Sequence, residues 1–286
     1  MHNLEIYNLH KNQPLSISNL IKFGTAFLCS NNISNGKNEI EWFLQELYGC
    51  DKIKLNDVRV DINKHNSSIE FLLQRIKKIP FQHIIKKGSF YGRDFKVNRN
   101  VLIPRPETEI LIDIIKTEKF NKLLDIGTGS GCIAATIALE KISNSVDAID
   151  IDNKCIDIAK YNAEKLNADN INFFKCDILK DFPNNKYDAI VSNPPYISKL
   201  EFEKLDKEVR EHEPLKALTD NGDGLIFYKR FSNIMHHLLK PSGIAVFELS
   251  HFFKKDDILN IFNNFSNVEF FNDLNNDCRA IKIVNT

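Results

Sequence analysis

Between Leu15 and about Ile79 the apolar positions recur at helical spacing, in three stripes: Ile17, Leu20 and Ile21, then Ile40, Phe43, Leu44 and Leu47, then Ile69, Leu72, Leu73 and Ile76. Three amphipathic stripes in close succession predict a small helical bundle. Pro80 ends it, because proline neither donates a backbone hydrogen bond nor continues a helix. From Gly88 to Ile103 the period changes to two: aromatic and β-branched residues alternate with polar ones around glycines and Asn98-Arg99-Asn100, which predicts a hairpin.

After Pro104 to Glu109 ("PRPETE") the pattern becomes strand, turn, helix, repeated. Strand-like runs are Lys122 to Ile126, Val146 to Ile151, Ile171 to Cys176, Tyr187 to Ser192, Ile244 to Leu249, Val268 to Phe271 and Ala280 to Val284. Helical patterns separate most of them: Cys132 to Glu140, Lys154 to Leu166, and Gly224 to Leu239, the last with Phe227, Phe231, Ile234 and Leu238 on one stripe. This alternation predicts an α/β fold, a mainly parallel sheet with helices on both faces. The expected division is a helical domain over 1–85, a hairpin linker over 86–103 and an α/β domain over 104–286. Ligands of such sheets bind outside the carboxyl ends of the strands, at the point where strand order reverses.

Composition narrows the class. Lys plus Arg equals Asp plus Glu at 38 each, so the basic excess of a protein that holds nucleic acid through its phosphates is missing, and no direct nucleic-acid binding is expected. A hydrophobic share of 43% against 27% charged is that of a well-cored soluble protein. The six cysteines lack Cys-x-x-Cys spacing and read as reduced core residues, with no metal site expected. No apolar run approaches the roughly 20 residues of a membrane span, and the start of the chain resembles neither a secretory signal nor a transit peptide. A cytoplasmic monomer is the expectation.

The first strand leads into Asp125-Ile126-Gly127-Thr128-Gly129-Ser130-Gly131 and then a helix. Three glycines let the backbone turn tightly and let a ligand approach it. A dinucleotide fingerprint would need glycine at position 132, which is Cys132. Asp150 ends the second strand about twenty residues past the loop, where a carboxylate can accept from ribose hydroxyls. Asp177 follows the third strand, suited to an adenine amino group, with Ile178 to cover the base. One aspartate at a strand end is commonly a helix cap. Asp125, Asp150, Asp177 and then Asn193 at successive strand ends form a rim that capping does not explain. The arrangement resembles the seven-stranded, Rossmann-like S-adenosylmethionine-dependent methyltransferases, and Asp125, Gly127, Thr128, Gly129, Ser130, Gly131, Asp150, Asp177, Ile178 and Asn193 are the expected cofactor contacts.

The fourth strand stops at Asn193-Pro194-Pro195-Tyr196. Proline fixes its own backbone and holds the preceding residue extended, so the segment is a rigid projection. A planar amide or aromatic amine is a poor nucleophile whose N–H groups are good donors. The Asn193 side-chain oxygen and the Pro194 carbonyl can each hold one N–H while Tyr196 packs on the plane, which makes Asn193, Pro194, Pro195 and Tyr196 the catalytic and substrate-binding candidates. The box suits the exocyclic amine of adenine or cytosine and the amide of glutamine alike.

Four segments carry a closer resemblance: "FYGRDFKVNRNVLIPRPETE" (Phe90 to Glu109), "LLDIGTGSGCIA" (Leu123 to Ala134), "VSNPPYI" (Val191 to Ile197) and "EVREHEPLKAL" (Glu208 to Leu218). They are similar to the HemK/PrmC protein-(glutamine-N5) methyltransferases, and the order bundle, hairpin, methyltransferase extends the likeness over nearly the whole chain. The resemblance implies methylation of the glutamine in the Gly-Gly-Gln motif of class 1 peptide chain release factors, with the helical domain docking the substrate. Arg105 and Glu107 lie in the most distinctive segment, and an ion pair bracing the hairpin against the α/β domain is at least as good a reading of them as a catalytic role. Glu211 to Pro214 is expected over the site, with Gly222 and Gly224 beyond it. Two departures stand out: "FELSHFF" (Phe247 to Phe253) has Ser250 where the family has glycine, and "PFQHI" (Pro80 to Ile84) lacks the family's tyrosine. The competing readings are an adenine-N6 DNA or RNA methyltransferase, which must bind a polyanion and flip a base, and a non-catalytic scaffold that only binds release factor.

Overall fold

The computed structural model describes residues 16–55 and 57–285, so Leu15 at the start of the first stripe lies outside the described residues. The chain divides into two compact units, one ending at Lys86 and one beginning at Lys87.

The first unit is helical. Its elements are α1 (Ile17–Ser30), α2 (Gly36–Tyr48), α3 (Lys52–Leu55), α4 (Ile62–Ile76) and α5 (Phe81–Ile85). Ser16 caps α1 by accepting from the Asn19 N–H, and Asp61 caps α4 by accepting from Asn63 and Lys64, which satisfies amides the helices leave unpaired. The three stripes meet in a core of Leu20, Leu28, Ile40, Leu44, Ile69, Phe71 and Leu72. Phe43 and Phe71 stack with ring centroids 4.2 Å apart. Arg75 on α4 crosses this core to a bidentate ion pair with Glu39 on α2, both buried.

The second unit opens with the antiparallel hairpin β1 (Lys87–Phe90) and β2 (Arg93–Lys96). The hairpin packs into the α/β layers: Phe90 and Phe95 are buried in the same cluster as Leu111, Ile133 and Val146. After a short turn at Pro106–Thr108 come α6 (Glu109–Ile115), β3 (Phe120–Ile126), α7 (Cys132–Leu139), β4 (Ser143–Asp150), α8 (Asn153–Leu166), β5 (Ile171–Lys175) and β6 (Tyr187–Ser192). Three short helices follow, α9 (Lys199–Phe202), α10 (Lys207–His212) and α11 (Leu215–Leu218), then α12 (Ile226–Leu238), β7 (Leu239–Glu248), α13 (Lys255–Ile261), β8 (Asn267–Asn272) and β9 (Cys278–Val284).

The sheet has seven strands in the order β5-β4-β3-β6-β7-β9-β8, parallel except for the two pairings made by β9. Successive side chains point to opposite faces of a strand, and here both faces are covered. Leu123, Val146, Ala189, Val191 and Val246 pack under α6, α7 and α8, whereas Leu124, Ile149, Ile190, Ala245 and Phe247 pack under α12 and α13. Strand order reverses between β3 and β6, so the carboxyl ends at Ile126 and Ser192 stand side by side in register. The Ser192 hydroxyl donates to the Ile126 carbonyl at 2.7 Å and pins the two ends together.

All six cysteines are free thiols, as expected, yet only Cys132 and Cys155 are buried and Cys29 is exposed. Helical spacing places a residue on a face; it does not tell how deeply that face is covered. Among the described residues no helix is long and apolar enough to cross a membrane.

Candidate active site

A cavity of about 610 Å³ opens over the carboxyl ends of β3 to β6. Its floor comes from the glycine loop and from β6: Gly127, Gly129, Asp150, Ser192, Asn193, Pro194 and Pro195. Asp177 and Ile178 form one wall, and Asn100 to Leu102, the chain leaving the hairpin, form another. Pro214 to Ala217, with Phe227, face it from the connection between β6 and β7.

The loop folds as its composition requires. Gly127, Gly129 and Gly131 all have left-handed backbones, with φ of 75°, 54° and 79°. A Cβ at Gly127 would meet nothing within 4 Å, so the loop shows bare backbone on that side. Gly131 serves packing: a Cβ there would stand 2.9 Å from the Ala159 Cβ, and its absence lets α7 approach α8. Asn162 on α8 fastens loop to hairpin, since its amide donates to the Ser130 and Lys96 carbonyls and its oxygen accepts from the Lys96 N–H. Asp150 accepts from the Gly129 N–H at 3.0 Å and the Asp152 N–H at 2.9 Å, which fixes its carboxylate at the cavity edge. Burial raises its pKa, opposed by those two N–H groups.

Asp125, Thr128 and Ser130 are buried beneath the loop and do not line the cavity. Burial pushes the Asp125 carboxyl up to about 7, with the Thr128 hydroxyl pulling the other way. The Asp177 carboxylate accepts from the Leu179 N–H and pairs with Lys180 at 3.3 Å.

At the end of β6 the Asn193 Nδ2 donates to the Thr108 hydroxyl at 2.9 Å, so its carbonyl end is not engaged by Thr108. Tyr196 packs with the core cluster under α12, and its hydroxyl donates to Glu248 at 2.9 Å. Glu248, at the end of β7, is buried, and burial raises its carboxyl to about 7. Thr108 and Glu248 were not marked by any motif read as chemical, although both sit in quoted segments. Their role arises only where the turn before α6 meets the ends of β6 and β7.

Arg105 reaches over to Glu213, 2.5 Å away, and Glu213 also accepts from the Ile103 N–H. This ion pair holds the Glu211 to Pro214 segment against the chain leaving the hairpin, while Glu107 stays exposed. Asp220 ties down the next stretch by accepting from the Gly222, Gly224 and Ile226 N–H groups.

Residues 106–256 match the family model of the methyltransferase small domain. A release factor glutamine methyltransferase from Bacillus subtilis is 45% identical over 218 residues, which are 71% of this chain and 74% of that protein. One from Fusobacterium nucleatum is 38% identical, over 80% of this chain and 68% of its own. The chain belongs to the release factor glutamine methyltransferases. A crystal structure of a methyltransferase from Pyrococcus furiosus shares the fold at a TM-score of 0.51 and 17% identity, covering 68% of this chain and 90% of that one.

A release factor glutamine methyltransferase is an S-adenosylmethionine-dependent enzyme, and the cavity fits that cofactor. The open side of Gly127, the fixed Asp150 carboxylate and the Asp177-Ile178 wall suit a ligand with a ribose and a flat base. The family's glycine after the fifth parallel run is Ser250 here. Ser250 has no left-handed backbone; its carbonyl accepts from the Phe253 N–H at 3.1 Å and its hydroxyl from the Phe252 N–H at 3.3 Å, so a side-chain hydrogen bond reinforces the turn.

Proposed function

We propose that the chain transfers a methyl group from S-adenosylmethionine to the side-chain amide nitrogen of the glutamine in the Gly-Gly-Gln motif of class 1 peptide chain release factors. The observation that carries this reading is the Asn193 amide at the cavity floor, with Nδ2 committed to Thr108 and the carbonyl end left as an acceptor. The names of the relatives supply the substrate class.

In this reading the backbone of Gly127 to Gly131 lies along the cofactor, Asp150 accepts from its ribose, and Asp177 and Ile178 take its base. Asp125, Thr128 and Ser130 act from below, by holding the loop. When bound, S-adenosylmethionine supplies a methyl group on a cationic sulfur. Asn193 Oδ1 and the Pro194 carbonyl each hold one N–H of the glutamine amide, which turns the nitrogen lone pair toward that methyl. Pro194 and Pro195 keep the two acceptors from moving. Positioning of this kind can supply on the order of 7 to 11 kcal/mol of a barrier. As the N–C bond forms and the C–S bond breaks, the nitrogen becomes acidic and its proton leaves to water or through the acceptors that already hold it, so no strong base is needed. Tyr196 backs the box from the core. The helical unit docks the release factor.

The test is transfer of radiolabelled methyl. Label is expected on release factor and is expected to vanish when the Gly-Gly-Gln glutamine is replaced. Label on duplex DNA or on RNA instead would establish the adenine-N6 reading, and cofactor binding with no label on any of them would establish the scaffold.

A further inference from the structure

The two ends of an asparagine amide have nearly the same shape and opposite hydrogen-bonding polarity. The value of Asn193 as an acceptor therefore depends on which end faces the cavity. Thr108, 3% exposed, accepts from Nδ2. A hydroxyl has a single hydrogen, so Thr108 accepts from Nδ2 only while that hydrogen is committed elsewhere; pointed at Asn193, it would favour the opposite flip.

Glu248, whose charged form the Thr108 hydroxyl favours, is the acceptor that can take that hydrogen. It is 1% exposed, and its Oε1 takes the Tyr196 hydroxyl at 2.9 Å. Tyr228 donates to its backbone carbonyl at 2.6 Å and so leaves the carboxylate alone. Oε2 is buried and meets no hydrogen-bond donor, an acceptor left open beside the Thr108 hydroxyl. The Thr108 and Tyr196 hydroxyls are the neighbours that most favour its charged form. An ionised carboxylate only accepts, and a buried one left short of donors is costly.

The geometry points to Thr108 as a positioning residue whose polarity is set by the Glu248 carboxylate: Glu248 draws the Thr108 hydrogen, Thr108 must accept from Asn193 Nδ2, and Asn193 Oδ1 is thereby turned to the substrate amide. This rests on the reading of Asn193 as the holder of the glutamine. The groups facing Glu248 are the Thr108 and Tyr196 hydroxyls, with Arg279 favouring its charge and Glu107 and burial opposing it. Once protonated, Glu248 can donate to Thr108, and the constraint on the flip is lost. Burial raises its carboxyl to about 7, so the transfer rate is expected to rise with pH through that region.

The experiment compares T108V, T108S and E248Q with the wild type. It measures kcat for methyl transfer to release factor against pH, calorimetric affinity for S-adenosylmethionine, and the Glu248 carboxyl titration by carbon-13 NMR. T108V is expected to lower kcat roughly 10- to 100-fold, the equivalent of one unsatisfied buried group, with cofactor affinity within a few-fold. T108S retains the hydroxyl and is expected to restore most of the rate. E248Q, whose amide can donate to Thr108, is expected to lower kcat and to abolish the acid limb near pH 7. That loss separates Glu248 from Asp125, whose carboxyl burial also pushes up to about 7. In T108V the Glu248 carboxyl is expected to titrate higher than in the wild type, a readout that needs no turnover. Full kcat in T108V, an acid limb that survives E248Q, or an unmoved Glu248 titration would each overturn the inference. If the wild type itself leaves release factor unmethylated, the functional reading has failed instead. Should T108V not fold, E248Q and the wild-type titration decide.

Discussion

At the scale of single residues, holding the cofactor and holding the acceptor fall to different groups. Asn193→Ala removes the acceptor oxygen but leaves the Gly127 to Gly131 backbone and the Asp150 carboxylate as they are. Methyl transfer should be abolished while calorimetric affinity for S-adenosylmethionine stays within a few-fold; an equal loss of both would make Asn193 mainly a cofactor ligand. Asp125 offers a second check through stability. Its carboxyl is raised to about 7 in the folded protein from an ordinary value of 3.8, so the folded state binds more protons than the unfolded state between those pH values. Stability contributed by this group is therefore lost as pH rises through about 7. Asp125→Asn should raise the ligand-free melting temperature at pH 8 and change it little at pH 4, and the reverse order would show that the carboxylate is stabilised by its surroundings. That Asp150, Asp177 and Asn193 line the cavity was legible in the sequence, because each lies at or within two residues of the end of a strand. Thr108 was not, because its bond to Asn193 spans 85 positions and depends on the strand order.

At the scale of elements, the rigidity attributed to the prolines has a second source. The chain after Tyr196 is laid against the connection before α12: the Ile197 N–H donates to the Leu218 carbonyl and the Lys199 N–H to the Gly222 carbonyl. Gly224 closes this contact with a φ of 82°, and a Cβ there would stand 2.3 Å from the Tyr196 carbonyl oxygen. Gly224→Ala should thus displace the Asn193 to Tyr196 box, reduce kcat, and lower the melting temperature by roughly 5 °C. Unchanged kcat would mean that the box is fixed by its prolines alone. The long strands and helices were legible because their periods are sustained over whole elements. The helices α3, α5, α6, α9 to α11 and α13 lack a readable period in the sequence, and α5 continues the first unit beyond Pro80. They are four to seven residues long, too short for a helical period to show, and tertiary contacts such as Arg105 with Glu213 hold the segment around α10 and α11. At β7 the expected start at Ile244 came late, because the strand follows α12 directly at Leu239 and carries an irregularity at Ser242, whose φ is 60°.

At the scale of the whole molecule, each unit has its own core, and the hairpin expected as a linker is built into the second. Pattern alone identified a mainly parallel sheet; it did not give the order in which the strands lie, which is fixed by crossovers packing under the helices. The proposed docking role of the helical unit can be tested through the Arg75–Glu39 pair inside it. Arg75→Ala leaves the Glu39 carboxylate buried without its main partner, at a cost of about 3 to 5 kcal/mol. Methylation of release factor should fall while cofactor affinity holds, and an unchanged KM for release factor would count against docking by this unit. The decisive measurement is mass spectrometry of a release factor incubated with the enzyme and S-adenosylmethionine. One methyl group is expected, on the side-chain nitrogen of the Gly-Gly-Gln glutamine, present with the wild type and absent with Asn193→Ala. A methyl group on any other residue, or the same methylation by the Asn193→Ala enzyme, would contradict this expectation.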